Sequence, residues 1–66
     1  MKQTNVLLTQ YKVHDRVELH PATDWWMQGD RYGEVIAIGS VYYHVKMDRS
    51  GKVRRMVPEN ILGKVK

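Results

Sequence analysis

The chain has 66 residues, a formal net charge of +4 and no cysteine. A domain of this size buries only about 60% of the surface that its unfolded chain exposes, and the absence of cysteine excludes disulfides and thiolate zinc sites as sources of stability. The longest apolar run, Val35–Ile38, is far shorter than the roughly 20 residues of a membrane span, and residues 1–8 lack the apolar stretch of a signal peptide, so we expect a single cytoplasmic domain.

The N-terminal residues 1–11 show no clear hydrophobic period. Val6-Leu7-Leu8 fits a strand start, a short helix or an arm that packs on a partner, because chain ends of this composition are often poorly ordered. We therefore expect an N-terminal arm over residues 1–11 and one folded domain over residues 12–66. Its first strand is predicted at Val17–His20, where apolar and polar residues alternate, and Pro21 ends it.

The stretch His20–Gly33 predicts a long irregular loop that reaches to about Tyr32. It contains both tryptophans of the chain, Trp25 and Trp26. Tryptophan has a large apolar surface that favours burial, so two of them on a loop indicate a contact surface, a lid on the core, or one of each. We expect one tryptophan to seal the small core and the other to be available for contact.

Three further strands are predicted after the loop. Gly33–Ile38 has the continuous apolar run of a buried strand, and Gly39-Ser40 is a turn. In Val41–Met47 the residues alternate, so we expect one side to carry Val41, Tyr43, Val45 and Met47 and the other Tyr42, His44 and Lys46. Asp48–Gly51 predicts a hairpin turn with Gly51 at positive φ, followed by a return strand over Lys52–Val57.

The chain ends with a predicted helical turn at Pro58–Ile61, with Pro58 in the first turn, and a last strand over Leu62–Val65. Five short strands without a long helix favour closure into a small barrel, because a flat sheet of this size would expose one apolar face and two edges. The sequence therefore predicts an all-β fold, a small barrel of about five antiparallel strands with a one-turn helix before the last strand.

The long first loop and the one-turn helix resemble those of the SH3-like small barrels over about residues 12–65. Within that group, Asp15-Arg16-Val17 followed by Arg31–Ile36 is similar to the KOW-type motif of ribosomal and transcription-associated proteins, with Gly33 in the place of the motif's glycine. The strings His20–Asp24 and Gly29–Gly33 also resemble short uncharacterised proteins of tailed phages. That resemblance implies a bacterial host cytoplasm and no particular activity.

The positive charge is concentrated in the second half of the chain. Residues 44–66 carry seven basic and two acidic groups, whereas residues 1–43 carry four basic and five acidic ones. Such a basic region attracts phosphate, nucleic acid or an acidic protein surface, although basic charge also serves solubility alone. Nucleic-acid binding needs cations for phosphates and flat side chains for bases, and the candidate residues are Tyr42, His44, Lys46, Arg49, Lys52, Arg54 and Arg55. We expect Tyr42, His44, Lys46 and Arg54 to share one sheet face.

The alternative is a protein-interaction module that uses the aromatic first loop. Tryptophan and tyrosine dominate interface hot spots, and the candidate contact residues are Trp25, Trp26, Arg31 and Tyr32. Together with Asp24 or Asp30, these aromatic rings would also suit a bound cation. A homo-oligomer is a further possibility, because association would cover the apolar N-terminal residues and stabilise a short core.

An enzyme is the third possibility. The Asp15-Arg16-Val17 start, the length and a tryptophan before a glycine resemble the plasmid-encoded type II dihydrofolate reductases, which are tetramers of short SH3-like barrels with a shared pore. Their pore strand carries Val-Gln-Ile-Tyr, and the nearest region here, Arg54–Val57, lacks the amide and hydroxyl groups. We therefore predict no catalytic residues and no cofactor. The histidines His14, His20 and His44 lack metal-ligand spacing, so no metal site is predicted either.

Overall fold

The computed structural model describes Leu8 and residues 10–65. The elements are β1 (Arg16–Leu19), α1 (Asp24–Met27), β2 (Tyr32–Ile38), β3 (Tyr43–Met47), β4 (Val53–Met56), the 3-10 turn (Pro58–Asn60) and β5 (Ile61–Val65). The predicted all-β fold is confirmed: a single antiparallel sheet has the strand order β4-β3-β2-β1-β5, and the 3-10 turn joins β4 to β5.

The core lies on one face of this sheet. Alternation in β1 and β3 turns every second side chain inward, because successive side chains of a strand point to opposite faces. The buried hydrophobic side chains are Val17, Leu19, Val35, Tyr43, Val45, Met47, Met56 and Ile61. The predicted common side of Tyr43, Val45 and Met47 is confirmed, and it is the buried one. Val41 precedes β3 and is 55% exposed, so its predicted place on that side is wrong.

Strand β2 is buried over its first half only. The prediction of a fully buried strand is wrong beyond Val35, because the pairing with β3 shifts register between Val35 and Ala37. Such a bulge bends a strand and redirects its side chains. Ile36 and Ile38 are accordingly 41% and 38% exposed.

The turns follow the predicted chemistry. Gly51 has φ +74°, and its N–H donates to the carbonyl of Met47 at 3.0 Å, which closes the hairpin between β3 and β4. Pro58 opens the 3-10 turn, and the side-chain oxygen of Asn60 accepts from the N–H of Val57 at 3.2 Å. The observed bounds of β4, the 3-10 turn and β5 differ from the predicted ones by one residue at one or both ends.

The first loop is not wholly irregular, because α1 lies within it. Thr23 caps this helical turn: its Oγ1 accepts from the N–H of Trp26 at 3.3 Å, and its hydroxyl donates to the carbonyl of His20 at 2.8 Å. Asp24 lies in the first turn, where a negative charge is favourable. The turn ends at Gly29, whose φ of +102° reverses the chain direction.

The residues before β1 pack on the core of the sheet. Tyr43 Oη accepts from the N–H groups of Gln10 and Tyr11 at 3.2 and 3.3 Å, and the two tyrosine rings meet edge to face with centroids 5.3 Å apart. Leu8 and Tyr11 pack against the core cluster. The predicted role of residues 1–7 as an arm lies outside the described residues.

Candidate nucleic-acid interface

The outward face of β3 and β4 combines aromatic and basic groups. His44 lies opposite Arg55 and Lys46 lies opposite Val53 in the antiparallel register, and all four side chains point away from the core. Tyr42 comes immediately before β3, and the Arg55 guanidinium lies over its ring at 5.8 Å from the centroid. We call this surface the sheet face and define it as Tyr42, His44, Lys46, Val53 and Arg55.

Arg54 does not belong to the sheet face, and its predicted place beside Tyr42, His44 and Lys46 is wrong. It lies opposite Val45, on the core side of β4, and its side chain is only 19% exposed. Its Nε donates to Asp30 Oδ2 at 3.1 Å, its Nη2 lies 3.0 Å from the same oxygen, and its guanidinium lies 5.5 Å from the centre of the Trp25 ring. Arg54 is therefore a structural cation that holds the first loop against β4.

Asp30 is the buried acceptor of this arrangement. It is 3% exposed and accepts from the Ser50 hydroxyl at 2.9 Å and from the Ser50 N–H at 3.3 Å, in addition to Arg54. Burial alone would raise the pKa of Asp30, but the hydrogen bonds from Ser50 and Arg54 outweigh it, and the pKa is lowered. The carboxylate therefore stays ionised and joins the loop to the hairpin.

The remaining ion pairs show which other basic residues have a carboxylate partner. Arg16 pairs with Asp48, and Lys64 Nζ lies 3.5 Å from Asp15. Glu34 stands opposite Lys46 in the register, but its Oε2 contacts His14 Nδ1 at 2.9 Å. Among the residues that the structure describes, no carboxylate forms an ion pair with the cations of the sheet face and the hairpin, which are Lys46, Arg49, Lys52 and Arg55.

The two tryptophans of the first loop have different surroundings. Trp25 packs against the core cluster, which confirms that one of the pair seals the core. Trp26 is half-buried beneath Arg31, whose guanidinium lies 4.6 Å from the ring centroid. Tyr32, 44% exposed, begins β2 on the same outward side as Glu34.

Two clefts border the first loop. The loop–hairpin cleft, of about 340 Å³, is lined by Gly29, Arg31, Tyr32, Asp48 and Arg49. The loop–turn cleft, of about 360 Å³, is lined by His20, Ala22, Thr23, Asp24, Trp25, Glu59 and Asn60. The loop–hairpin cleft contains Arg49, which is predicted to contact phosphate, and also Arg31 and Tyr32, which are predicted to contact protein. Sequence spacing gave no signal for it, because its residues come from two separate turns.

Comparison of the chain with protein-family models, with curated proteins and with solved structures gives no match. The candidate site therefore rests on the geometry described above. Within Leu8 and residues 10–65, no three histidine, cysteine, aspartate or glutamate side chains are grouped so that they could hold a metal ion. Over the same described part of the chain, no helix has the length and apolar character needed to cross a membrane.

Proposed function

We propose that this protein is a small non-catalytic module that binds nucleic acid on the sheet face and the β3–β4 hairpin. The observation that carries this proposal is the division of its basic residues. Arg16, Arg54 and Lys64 form ion pairs with carboxylates, whereas the four cations of the sheet face and hairpin, like Lys12 and Arg31 elsewhere, form none with any described residue. Cations without carboxylate partners are free to neutralise phosphates and release their counterions.

The aromatic part of the sheet face suits single strands. Tyr42 is 41% exposed, and the guanidinium of Arg55 is held close to its ring. An unpaired base stacks on such a ring whatever its identity, while the bases of a duplex are already stacked on one another. We therefore propose that Tyr42 receives a base and that Lys46 and Arg55 contact the adjoining phosphates.

Salt dependence tests this function. Fluorescence anisotropy with labelled single-stranded RNA, single-stranded DNA and duplex DNA of one sequence would be measured at two salt concentrations. With four phosphate contacts, the affinity for a single strand should fall about 50-fold between about 50 and about 200 mM salt. The absence of binding at the lower concentration, or an affinity that salt leaves unchanged, would contradict the proposal.

The loop–turn cleft supports a second candidate function, the binding of a basic peptide. Asp24 and Glu59 line this cleft together with Trp25, so it offers two carboxylates beside an aromatic surface. Because Trp25 also packs on the core, its removal would disturb the fold and cannot test binding. The variants Asp24→Asn and Glu59→Gln, assayed against Lys- and Arg-rich peptides, test this candidate: unchanged peptide affinity in both would contradict it.

A further inference from the structure

We propose that the loop–hairpin cleft binds the phosphate monoester of a nucleotide, with the phosphate between Arg31 and Arg49 and the base against Tyr32. Where the nucleotide is the phosphorylated end of a bound strand, this inference rests on the proposed function. The same chemistry also admits a free nucleoside monophosphate, and the experiment below distinguishes these two sources.

The first observation is the charge of the cleft. Asp48 is the acidic residue in its lining, and its carboxylate is bound by Arg16. Asp30 precedes Arg31 in the chain, but its carboxylate is bound by Arg54. The acids next to the cleft are thus neutralised by other cations. Within Leu8 and residues 10–65, neither Arg31 nor Arg49 forms an ion pair.

The second observation is that both arginines lie against uncharged surfaces. Arg31 lies over the Trp26 ring. The Arg49 side chain runs so close to Gly29 that a Cβ built there would lie 3.2 Å from its Cδ and 3.3 Å from its Nε. Neither contact places an anion beside the guanidinium group. Side chains that are ordered before the ligand arrives lose less entropy on binding.

The third observation concerns the ligand's charge and size. A phosphate monoester carries nearly two negative charges at neutral pH, whereas a phosphodiester inside a strand carries one. Two guanidinium groups match the monoester, and each presents a planar pair of donors to phosphate oxygens. The cleft of about 340 Å³ has room for more than a bare phosphate, and the exposed ring of Tyr32 in its lining offers a flat surface for a base.

The cleft is also continuous with the sheet face. The N–H of Asp48 donates to the carbonyl of Tyr32 at 3.0 Å, which joins the hairpin to the start of β2. Tyr32 shares the outward side of β2 with Glu34, which stands opposite Lys46. A strand whose phosphorylated end occupies the cleft can therefore continue across Lys46 toward Tyr42.

The test compares one labelled oligonucleotide with a 5′-phosphate, a 3′-phosphate or neither, and adds AMP against adenosine as free-nucleotide probes. Each is measured by anisotropy or amide chemical shifts on the full chain. We expect a terminal phosphate at one end to increase affinity about tenfold or more, because it adds charged hydrogen bonds. Arg31→Gln and Arg49→Gln should remove that advantage, and Lys64→Gln, which makes the same change in net charge, should keep it. Arg49 lies on an exposed hairpin, so its variant tests the site even if Arg31→Gln unfolds.

The outcomes separate the inference from the proposed function. Equal affinity for all three oligonucleotides, with no response to AMP, would overturn the phosphate-monoester site in the loop–hairpin cleft. The sheet face would then remain as the proposed binding surface. A response to AMP without binding of any oligonucleotide would support the cleft and overturn the proposed function. If Arg31→Gln and Arg49→Gln weakened all three oligonucleotides equally, both residues would be general phosphate contacts, and the monoester site would be overturned.

Discussion

Asp30 and Arg54 are joined at a single carboxylate oxygen by a hydrogen bond from Nε and an ion-pair contact from Nη2, although they are 24 residues apart in the chain. This pair connects the first loop to β4 beside Trp25, while the neighbouring Arg55 points to the opposite side and lies over the Tyr42 ring. Consecutive arginines thus lie on opposite sides of β4, and only Arg54 is paired with a described carboxylate.

The Asp30–Arg54 pair should contribute strongly to stability. Asp30→Ala leaves Arg54 largely buried without a counter-charge, and we expect the free energy of unfolding to fall by about 3–5 kcal/mol. Asp24→Ala removes an exposed acid from the same loop and should cost less than about 1 kcal/mol. Urea denaturation followed by tryptophan fluorescence measures both changes. Equal stability of the two variants would show that the pair is dispensable.

The same carboxylate should make stability depend on pH. Although burial opposes ionisation, hydrogen bonds from Ser50 and Arg54 lower the pKa of Asp30 below its ordinary value of 3.8. Its stabilising contribution is therefore complete above that ordinary value and is lost as the pH falls through the lowered, folded-state pKa. We expect the native protein to lose more stability below about pH 4 than Asp30→Asn does.

Denaturation curves at a series of pH values provide the comparison. The pKa of Asp15 is also lowered, chiefly by the backbone N–H of Lys12, but Asp15 is present in both proteins. The difference between the two pH profiles therefore isolates Asp30. Parallel profiles would contradict the assignment of the lowered pKa to this residue.

The strands and turns were predictable because their signals are local. Alternation fixed the inward side of β3, and Asp48–Gly51 predicted the hairpin. The side of β4 on which the Arg54 side chain lies was not predictable. The apolar residues Val53 and Met56 are three positions apart, so alternation places them on opposite sides and does not show which side is buried. Only the register with β3 and the distant partner Asp30 decide it.

The first loop shows a similar limit. The helical turn α1 has four residues, too few for a hydrophobic period to show, although Thr23-Asp24 carries the start signal of a helix. The loop–hairpin cleft has Arg31 and Arg49 in one lining, and no spacing in the sequence predicts that these two residues share a cleft.

Gly33 should not tolerate a side chain. A Cβ at this position would lie 2.6 Å from Val45 Cγ1 and 2.7 Å from the carbonyl oxygen of Lys46, so the neighbouring strand would have to move. We expect Gly33→Ala to cost about 1–3 kcal/mol or more. Gly63 has no atom within 4 Å of its Cβ position, so Gly63→Ala is the matched control and should be nearly neutral in thermal denaturation. A stable Gly33→Ala protein would contradict the close approach of β2 and β3.

The Tyr43 hydroxyl should hold the residues before β1. Tyr43→Phe removes the acceptor for the N–H groups of Gln10 and Tyr11, and we expect a loss of about 1 kcal/mol in stability. Hydrogen exchange at these two amides should accelerate, whereas Tyr42→Phe should leave their exchange unchanged. Unaltered exchange in Tyr43→Phe would show that other contacts hold this segment.

The contrast between Arg54 and Arg55 tests the central claim most directly. Affinity for single-stranded oligonucleotides at low salt and the free energy of unfolding would be measured for Arg54→Gln, Arg55→Gln and the control Lys64→Gln. We predict that Arg55→Gln weakens binding while keeping its stability, that Arg54→Gln loses stability, and that Lys64→Gln changes neither substantially. If Arg55→Gln bound as tightly as Lys64→Gln, the sheet face would not be the nucleic-acid interface.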